Sequence, residues 1–316
     1  MKKIIHYFLI VAVIFFLTLL AVSSFYTRSI YKKLLTVNKS EFPSFMIKIL
    51  DRLTSQPVVQ SPILREENTI QILEGWTNND IAKYLAANGN WGSQDFLQSV
   101  GSAQTGDIYL KKTASSTDYS LQFSFLKDLH KNASLEGYLF PDTYRIYASS
   151  TIDEIIVRML NNFDEKLTSK MRLDIKAQGK TIFDIIIMAS LVEKEAPINY
   201  NKDSNNYDAK VIAGIFWNRL KNGQALESDA TLSYILKDNQ SQHRGQDLEI
   251  NSLYNTYKYR GLPPGPISNP GLVAIEAAIY PIKSSYNYFL SPPDGKTVIY
   301  AITYDQHLSN KYKYLK

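Results

Sequence analysis

The chain has 316 residues, 45% hydrophobic and 21% charged, with 14 Gly and 12 Pro, a composition that folds and that excludes disordered, fibrous and small disulfide-scaffold classes. It contains no Cys, which removes thiolate nucleophiles, Cys-ligated zinc, iron-sulfur clusters and redox chemistry through sulfur. The net charge of +5 lies at the front, where residues 1–33 carry Lys2, Lys3, Arg28, Lys32 and Lys33 and no acid, so the rest is neutral and offers no basic stripe to nucleic acid.

From Ile4 to Tyr26 there is no Asp, Glu, Lys or Arg, and as a helix this stretch would span about 34 Å, enough for a bilayer core. It reads as a single-pass anchor in the cytoplasmic membrane, with residues 1–3 as a cytoplasmic tail, Tyr7 and Tyr26 at the two interfaces and the body outside the cytoplasm. A cleaved signal peptide is the rival reading, because Lys2, Lys3, an apolar core from Tyr7 to Leu20 and the small residues Ala21 and Ser23 fit that pattern too. Residues 27–65 read as a juxtamembrane stalk.

Thr69 to Leu73 predicts a strand. It leads into a helix whose start is marked by Thr77 and Asp80, whose buried face is Ile81, Tyr84 and Leu85, and whose end is Gly89. Residues 101–120 are Ser/Thr-rich and polar, and the junction between modules is placed within or just after them. Thr151 to Ser169 opens with a Thr-x-x-Glu cap and repeats apolar residues at Ile155, Ile156, Met159, Leu160 and Phe163, one helical face. A second helix runs from Thr181 to near Pro197, apolar nearly all round and therefore central. Asp208 to Lys221 is a third, and Pro270 and Pro281 bracket a fourth. Short strands are expected around Tyr286 to Leu290 and Thr297 to Ile302. The fold class is α+β.

No metal site is expected: His6, His130, His243 and His307 have no paired ligand spacing. Phosphate-binding Gly-rich loops and a G-x-S-x-G nucleophile elbow are absent as well. What remains is a set of carboxylates in apolar or aromatic settings. Glu136, flanked by Leu135, Tyr138, Leu139 and Phe140, would be desolvated and held protonated as a general acid. The plain alternative is a Glu136-Gly137 turn, with Pro141-Asp142-Thr143 as another. Glu193 and Glu195 end a nearly all-apolar helix and, being two apart, point to different sides. The run from Asn218 and Arg219 to Ser228, Asp229 and Thr231 reads as a second polar site or a polar loop. Tyr254, Tyr257 and Tyr259, followed by Pro263-Pro264, read either as a rigid saccharide platform or as a loop packed by its own aromatics.

Together LEGYLFPDTY, ASLVEKE, the Asn-Arg-Leu to Ser-Asp-Ala-Thr stretch and YNTY...GLPPGPISNPG resemble, in order and spacing, the YceG-like family of endolytic murein transglycosylases. The resemblance covers about residues 66–316 plus the anchor. It implies a LysM-like subdomain with its junction at 66–124 and a catalytic domain at 125–316 whose essential glutamate is Glu136. It also implies substrate-binding roles for Tyr138, Asp142, Thr143, Glu193, Asn218, Ser228, Asp229, Thr231, Tyr254, Asn255 and Thr256. No cofactor is expected. The implied partners are the glycan strands of peptidoglycan and the cell-wall synthesis machinery. This chain departs from the family's common Q-[ST]-D-P-T stretch at Glu227 and Ala230. A non-catalytic peptidoglycan-binding scaffold of the envelope and a water-using muramidase are the alternatives.

Overall fold

A lone strand leaves its backbone N–H and C=O groups unpaired, and β1 (Glu67–Gln71) meets this by pairing antiparallel with β2 (Thr143–Tyr147), with Ile70 opposite Tyr144. The side-chain period of two then sends Ile70, Tyr144 and Ile146 inward. The ladder continues one step past the strands, where the Ile72 N–H donates to the Asp142 carbonyl at 3.0 Å. The computed structural model describes residues 67–101, 117–129, 133–200, 206–238, 240, 242–292 and 297–315.

Between these strands lie α1 (Asn78–Asn88) and α2 (Ser93–Val100). Thr77 and Asp80 close a reciprocal capping box on α1, in which each side chain accepts from the other's backbone N–H. After β2 come α3 (Ile152–Lys166), α4 (Ser169–Ala177), α5 (Ile182–Glu195), α6 (Tyr207–Lys221) and α7 (Asp229–Leu236). A second antiparallel pair, β3 (Tyr288–Leu290) and β4 (Ile299–Ala301), follows α8 (Leu272–Ile279), and α9 (Tyr304–Tyr314) comes last. The expected helices and strands fall on α1, α3, α5, α6, α8, β1, β3 and β4 with ends shifted by a few residues, whereas α2, α4, α7 and α9 are additional.

The core is built on α5, in which every residue from Ile185 to Val192 is buried. At about 1.5–3 kcal/mol for each large apolar side chain removed from water, this helix is the largest single anchor of the fold. α8 packs on it and on α6. The approach to α6 is close: a Cβ on Gly214 would lie 2.1 Å from the Ile282 carbonyl oxygen. A second, aromatic knot joins α3 to the segment before β2, with Phe163 4.7 Å from Phe125 and 5.3 Å from Tyr138 between ring centroids.

Residues Arg65–Lys316 form one compact unit. The β1–β2 ladder crosses the boundary expected near residue 124, so the segments on either side of it share a sheet. The expected cytoplasmic tail, membrane helix and stalk, and residues 102–116 of the junction, lie outside the described residues. Among the described residues no helix is long and apolar enough to cross a membrane.

Candidate active site

Glu136 sits in the turn Leu135–Tyr138, closed by the Tyr138 N–H donating to the Leu135 carbonyl at 3.0 Å. Gly137 adopts φ +87, and a Cβ there would lie 2.6 Å from Pro266 Cγ and 2.7 Å from Ile186 Cγ2. Both the left-handed backbone and the absence of space demand glycine. The turn is therefore seated against α5 and the proline-rich loop, and it aims the preceding carboxyl inward. The two sequence readings of Glu136-Gly137, as a turn and as a desolvated acid, describe the same object.

The Glu136 carboxyl is 0% exposed. Its Oε1 accepts from the Asn78 backbone N–H at 2.9 Å and from Asn269 Nδ2 at 3.2 Å, and the Tyr234 hydroxyl donates to Oε2 at 3.3 Å. Asn78 is the first residue of α1, so its N–H is one of the donors a helix leaves unpaired, and Glu136 satisfies it. That N–H and the adjoining helix terminus favour the charged carboxylate. Burial outweighs them and pushes the pKa up to about 8. Oε1 faces two obligate donors, so the proton belongs on Oε2, where the Tyr234 hydroxyl rotates to accept it.

Asn269 is the hub. Its Oδ1 accepts from the Gly137 and Leu139 N–H groups at 2.9 and 3.0 Å, while Nδ2 also donates to the Trp76 carbonyl at 3.0 Å. Pro270 was expected to open the fourth helix, but the N-cap of α8 is Gly271, and the Asn269 side chain ties Glu136 to α1. Asn78 is held in turn by donating from Nδ2 to Ser134 Oγ at 3.2 Å and to the Gly101 carbonyl at 3.3 Å. Asn78, Tyr234 and Asn269 are the functional neighbours that sequence reading missed.

The expected site residues fall into separate groups. Tyr254 joins Glu136: it is 7% exposed, its ring centroid is 5.2 Å from that of Tyr234, and burial, with the ionised form of Glu136 second, raises its pKa. Glu193 and Glu195 do point apart. Glu193 accepts from the Gly271 N–H at 3.0 Å and from the Tyr200 hydroxyl, whereas Glu195 accepts from Ser228 Oγ at 2.5 Å. Burial raises both pKa values.

The Ser228–Thr231 stretch is locked to the YNTY segment. The Ser228 N–H donates to Thr256 Oγ1 at 3.0 Å, Thr231 and Thr256 hydroxyls lie 3.1 Å apart, and Asp229 accepts from the Tyr257 hydroxyl at 3.0 Å and the His243 N–H at 3.1 Å. Asn255 holds its own loop, donating to the Leu248 and Ile250 carbonyls, both at 2.9 Å. Tyr259 bonds Asn251. The tyrosines expected as a saccharide platform are thus engaged within and around their own loop. Glu227, one of the departures from the family pattern, adopts φ +52 and lies 3.5 Å from Arg219 Nη1.

Four expected residues have other partners. Tyr138 is wholly buried in the aromatic knot with Phe125 and Phe163, and its position is explained by packing. Asn218 donates to the Ser284 carbonyl at 3.4 Å. Asp142 and Thr143 lie where β2 begins, with Asp142 accepting from Asn162 Nδ2 at 3.0 Å and lying 3.8 Å from Lys166 Nζ. Among the described residues no group of three or more His, Asp or Glu side chains could hold a metal ion.

Fold and site together define an α+β protein organised round one buried, uncharged glutamic acid. The model of the YceG-like family matches residues 43–313. The chain belongs to the YceG-like family. It is 36% identical over 181 residues to the endolytic murein transglycosylase of Bacillus subtilis strain 168, covering 57% of this chain and 48% of that one. It is 35% identical over 271 residues to the enzyme of the same name from Streptococcus pneumoniae D39, covering 81% of this chain and 45% of the other. The chain thus spans about half the length of these relatives. A crystal structure of a YceG-like protein from Listeria monocytogenes aligns with TM-score 0.64 and 32% identity, over 76% of this chain and 75% of that one.

Proposed function

We propose that this protein is an endolytic peptidoglycan lytic transglycosylase, cleaving the β-1,4 bond between N-acetylmuramic acid and N-acetylglucosamine within glycan strands and leaving 1,6-anhydro ends. The observation that carries the reading is Glu136, a buried acid with a pKa near 8 and no carboxylate among its hydrogen-bond partners in the described residues. Glycosidases that use water or an enzyme nucleophile need two carboxyl groups. Here the nucleophile is the 6-hydroxyl of the sugar whose bond breaks, so proximity is supplied by the substrate.

Glu136 Oε2 protonates the leaving glycosidic oxygen as the C1–O bond breaks. The resulting carboxylate then takes the O6 proton as O6 closes on C1, which regenerates the acid. Asn78 and Asn269 hold Oε1, and stabilise the carboxylate in the interval between the two proton transfers. Since the carboxyl is sealed, glycan must displace what covers Oε2, and the Tyr234 contact at 3.3 Å is the longest of the three.

Around this centre we place Tyr254, Glu193, Ser228, Asp229, Thr231, Asn255 and Thr256 as groups that bind glycan or shape the walls that do. The strand and two helices of residues 67–100 support the LysM-like reading of that segment. The anchor at residues 4–26 would hold the catalytic part outside the cytoplasmic membrane, beside the machinery that synthesises strands. Glu136→Gln keeps shape and one acceptor oxygen but cannot donate and retake a proton. The purified variant should lose about 10²- to 10⁴-fold in strand cleavage while keeping its circular dichroism, and near-parental cleavage would remove Glu136 from the chemistry.

A further inference from the structure

A cavity of about 310 Å³ opens beside the site, lined by Glu74, Phe140, Asp142, Thr143, Lys166 and Tyr200 among others. Most of its walls come from the same three segments that hold Glu136, with Lys166 added from the end of α3 and Tyr200 from the stretch after α5. Glu74 lies in the link from β1 to Asn78, Phe140 to Thr143 follow Glu136 directly, and Leu272 follows Asn269. Two backbone bonds clamp the first segment to the third, from the Gly75 N–H to the Asn269 carbonyl at 2.9 Å and from the Asn269 N–H to the Trp76 carbonyl at 2.8 Å.

The lining is organised. Glu74 and Tyr200 converge over Gly271, where a Cβ would lie 2.7 Å from Glu74 Cγ and 2.7 Å from the Tyr200 hydroxyl oxygen. The Tyr200 hydroxyl donates to Glu193, which also takes the Gly271 N–H, so the ring is fixed while remaining 36% exposed. Across the cavity Lys166 lies 3.8 Å from Asp142, both side chains about two-fifths exposed.

We propose that this cavity is a saccharide subsite that receives one pyranose ring of the glycan strand next to the bond cleaved at Glu136. This rests on the glycan reading of the active site. The volume lies at the lower end of small-ligand sites and suits one amino sugar with its substituent. The positive C–H face of a pyranose lies on the negative face of the Tyr200 ring, and its hydroxyls donate to the Glu74 and Asp142 carboxylates. Lys166 supplies the donor for a ring or acetamido oxygen.

The test uses the full chain carrying Glu136→Gln, so that ligand is not consumed, titrated calorimetrically with a soluble tetrasaccharide of alternating N-acetylglucosamine and N-acetylmuramic acid. Adding Tyr200→Ala should weaken the Kd about tenfold, whereas Tyr200→Phe, which keeps the ring, should stay within about threefold. Glu74→Gln should weaken binding without altering thermal unfolding, and keeps the proposal testable if Tyr200→Ala misfolds. Tyr304→Ala, on the exposed face of α9, is the unaffected control. Equal affinity across all variants would overturn the subsite while leaving the active-site reading intact, and a loss in Tyr200→Phe equal to that in Tyr200→Ala would overturn the stacking role. If the Glu136→Gln chain takes up no glycan, the substrate reading falls and the subsite with it.

Discussion

Glu136 is unusual because a helix N-terminus offers its carboxylate a donor and burial still keeps it neutral. The consequence for stability has a definite sign. The native pKa is raised from 4.5 to about 8, so between these values the unfolded chain releases a proton that the folded chain keeps. Stability from this group is therefore complete below about pH 4.5 and is lost as pH rises toward 8. Burial of Glu193 and Glu195 acts in the same direction. Glu136→Gln removes the Glu136 part of this loss, so its melting temperature should exceed the parent's at pH 8 by a margin that shrinks toward pH 5. A margin that is constant with pH would mean that Glu136 is already ionised in the native state. For the same reason cleavage should fall above about pH 8, as the acid form is lost. The water-using alternative requires a second carboxylate, yet Glu193 is committed to Tyr200 and Gly271 and Glu195 to Ser228.

At the scale of elements, the turn that carries Glu136 is the most constrained short segment at the site. Gly137 and Gly179 both have positive φ, but a Cβ on Gly137 would strike Pro266 and Ile186, while nothing lies within 4 Å of one on Gly179. Gly137→Ala should therefore cost several kcal/mol in urea unfolding, above the roughly 1 kcal/mol of backbone strain expected for Gly179→Ala. It should also abolish cleavage. Equal costs at the two sites would contradict the close seating of the turn against α5.

This contrast between local and distant contacts also explains what could be read in the sequence. The starts of α1, α3 and α5 were legible because Thr77, Thr151 and Thr181 each sit three residues before an acid that completes a capping box. The same local signal, Thr303 with Gln306, was present for α9 and could have found it. α2 and α7 have no side-chain cap bond to announce them. Glu136 was legible from its apolar neighbours and the motif around it. Its partners were not, because Asn78, Tyr234 and Asn269 reach it from 58, 98 and 133 residues away. For the same reason Asp229 and Asn251, the partners of Tyr257 and Tyr259, could not be read beforehand.

For the whole molecule, residues Arg65–Lys316 form one compact unit in which β1 and β2 join the first described segment to the rest. A chain restricted to residues 65–316 should then unfold in a single cooperative transition and, lacking the apolar stretch at 4–26, leave the membrane fraction. Two separate transitions would show that the segment before residue 124 folds independently. The charge balance agrees with this design, since the excess of basic residues lies within the first 33 and the body has no field that would draw it to an anionic polymer other than by specific contacts.

Under the proposed function one carboxyl suffices, because the substrate brings its own nucleophile. Mass spectrometry of the ends released from purified glycan strands tests this most directly. Every new end should be 1,6-anhydro-N-acetylmuramic acid, with no uptake of ¹⁸O from labelled water. Reducing ends carrying ¹⁸O would contradict it, since water would then be the nucleophile and a second carboxylate would have to direct it.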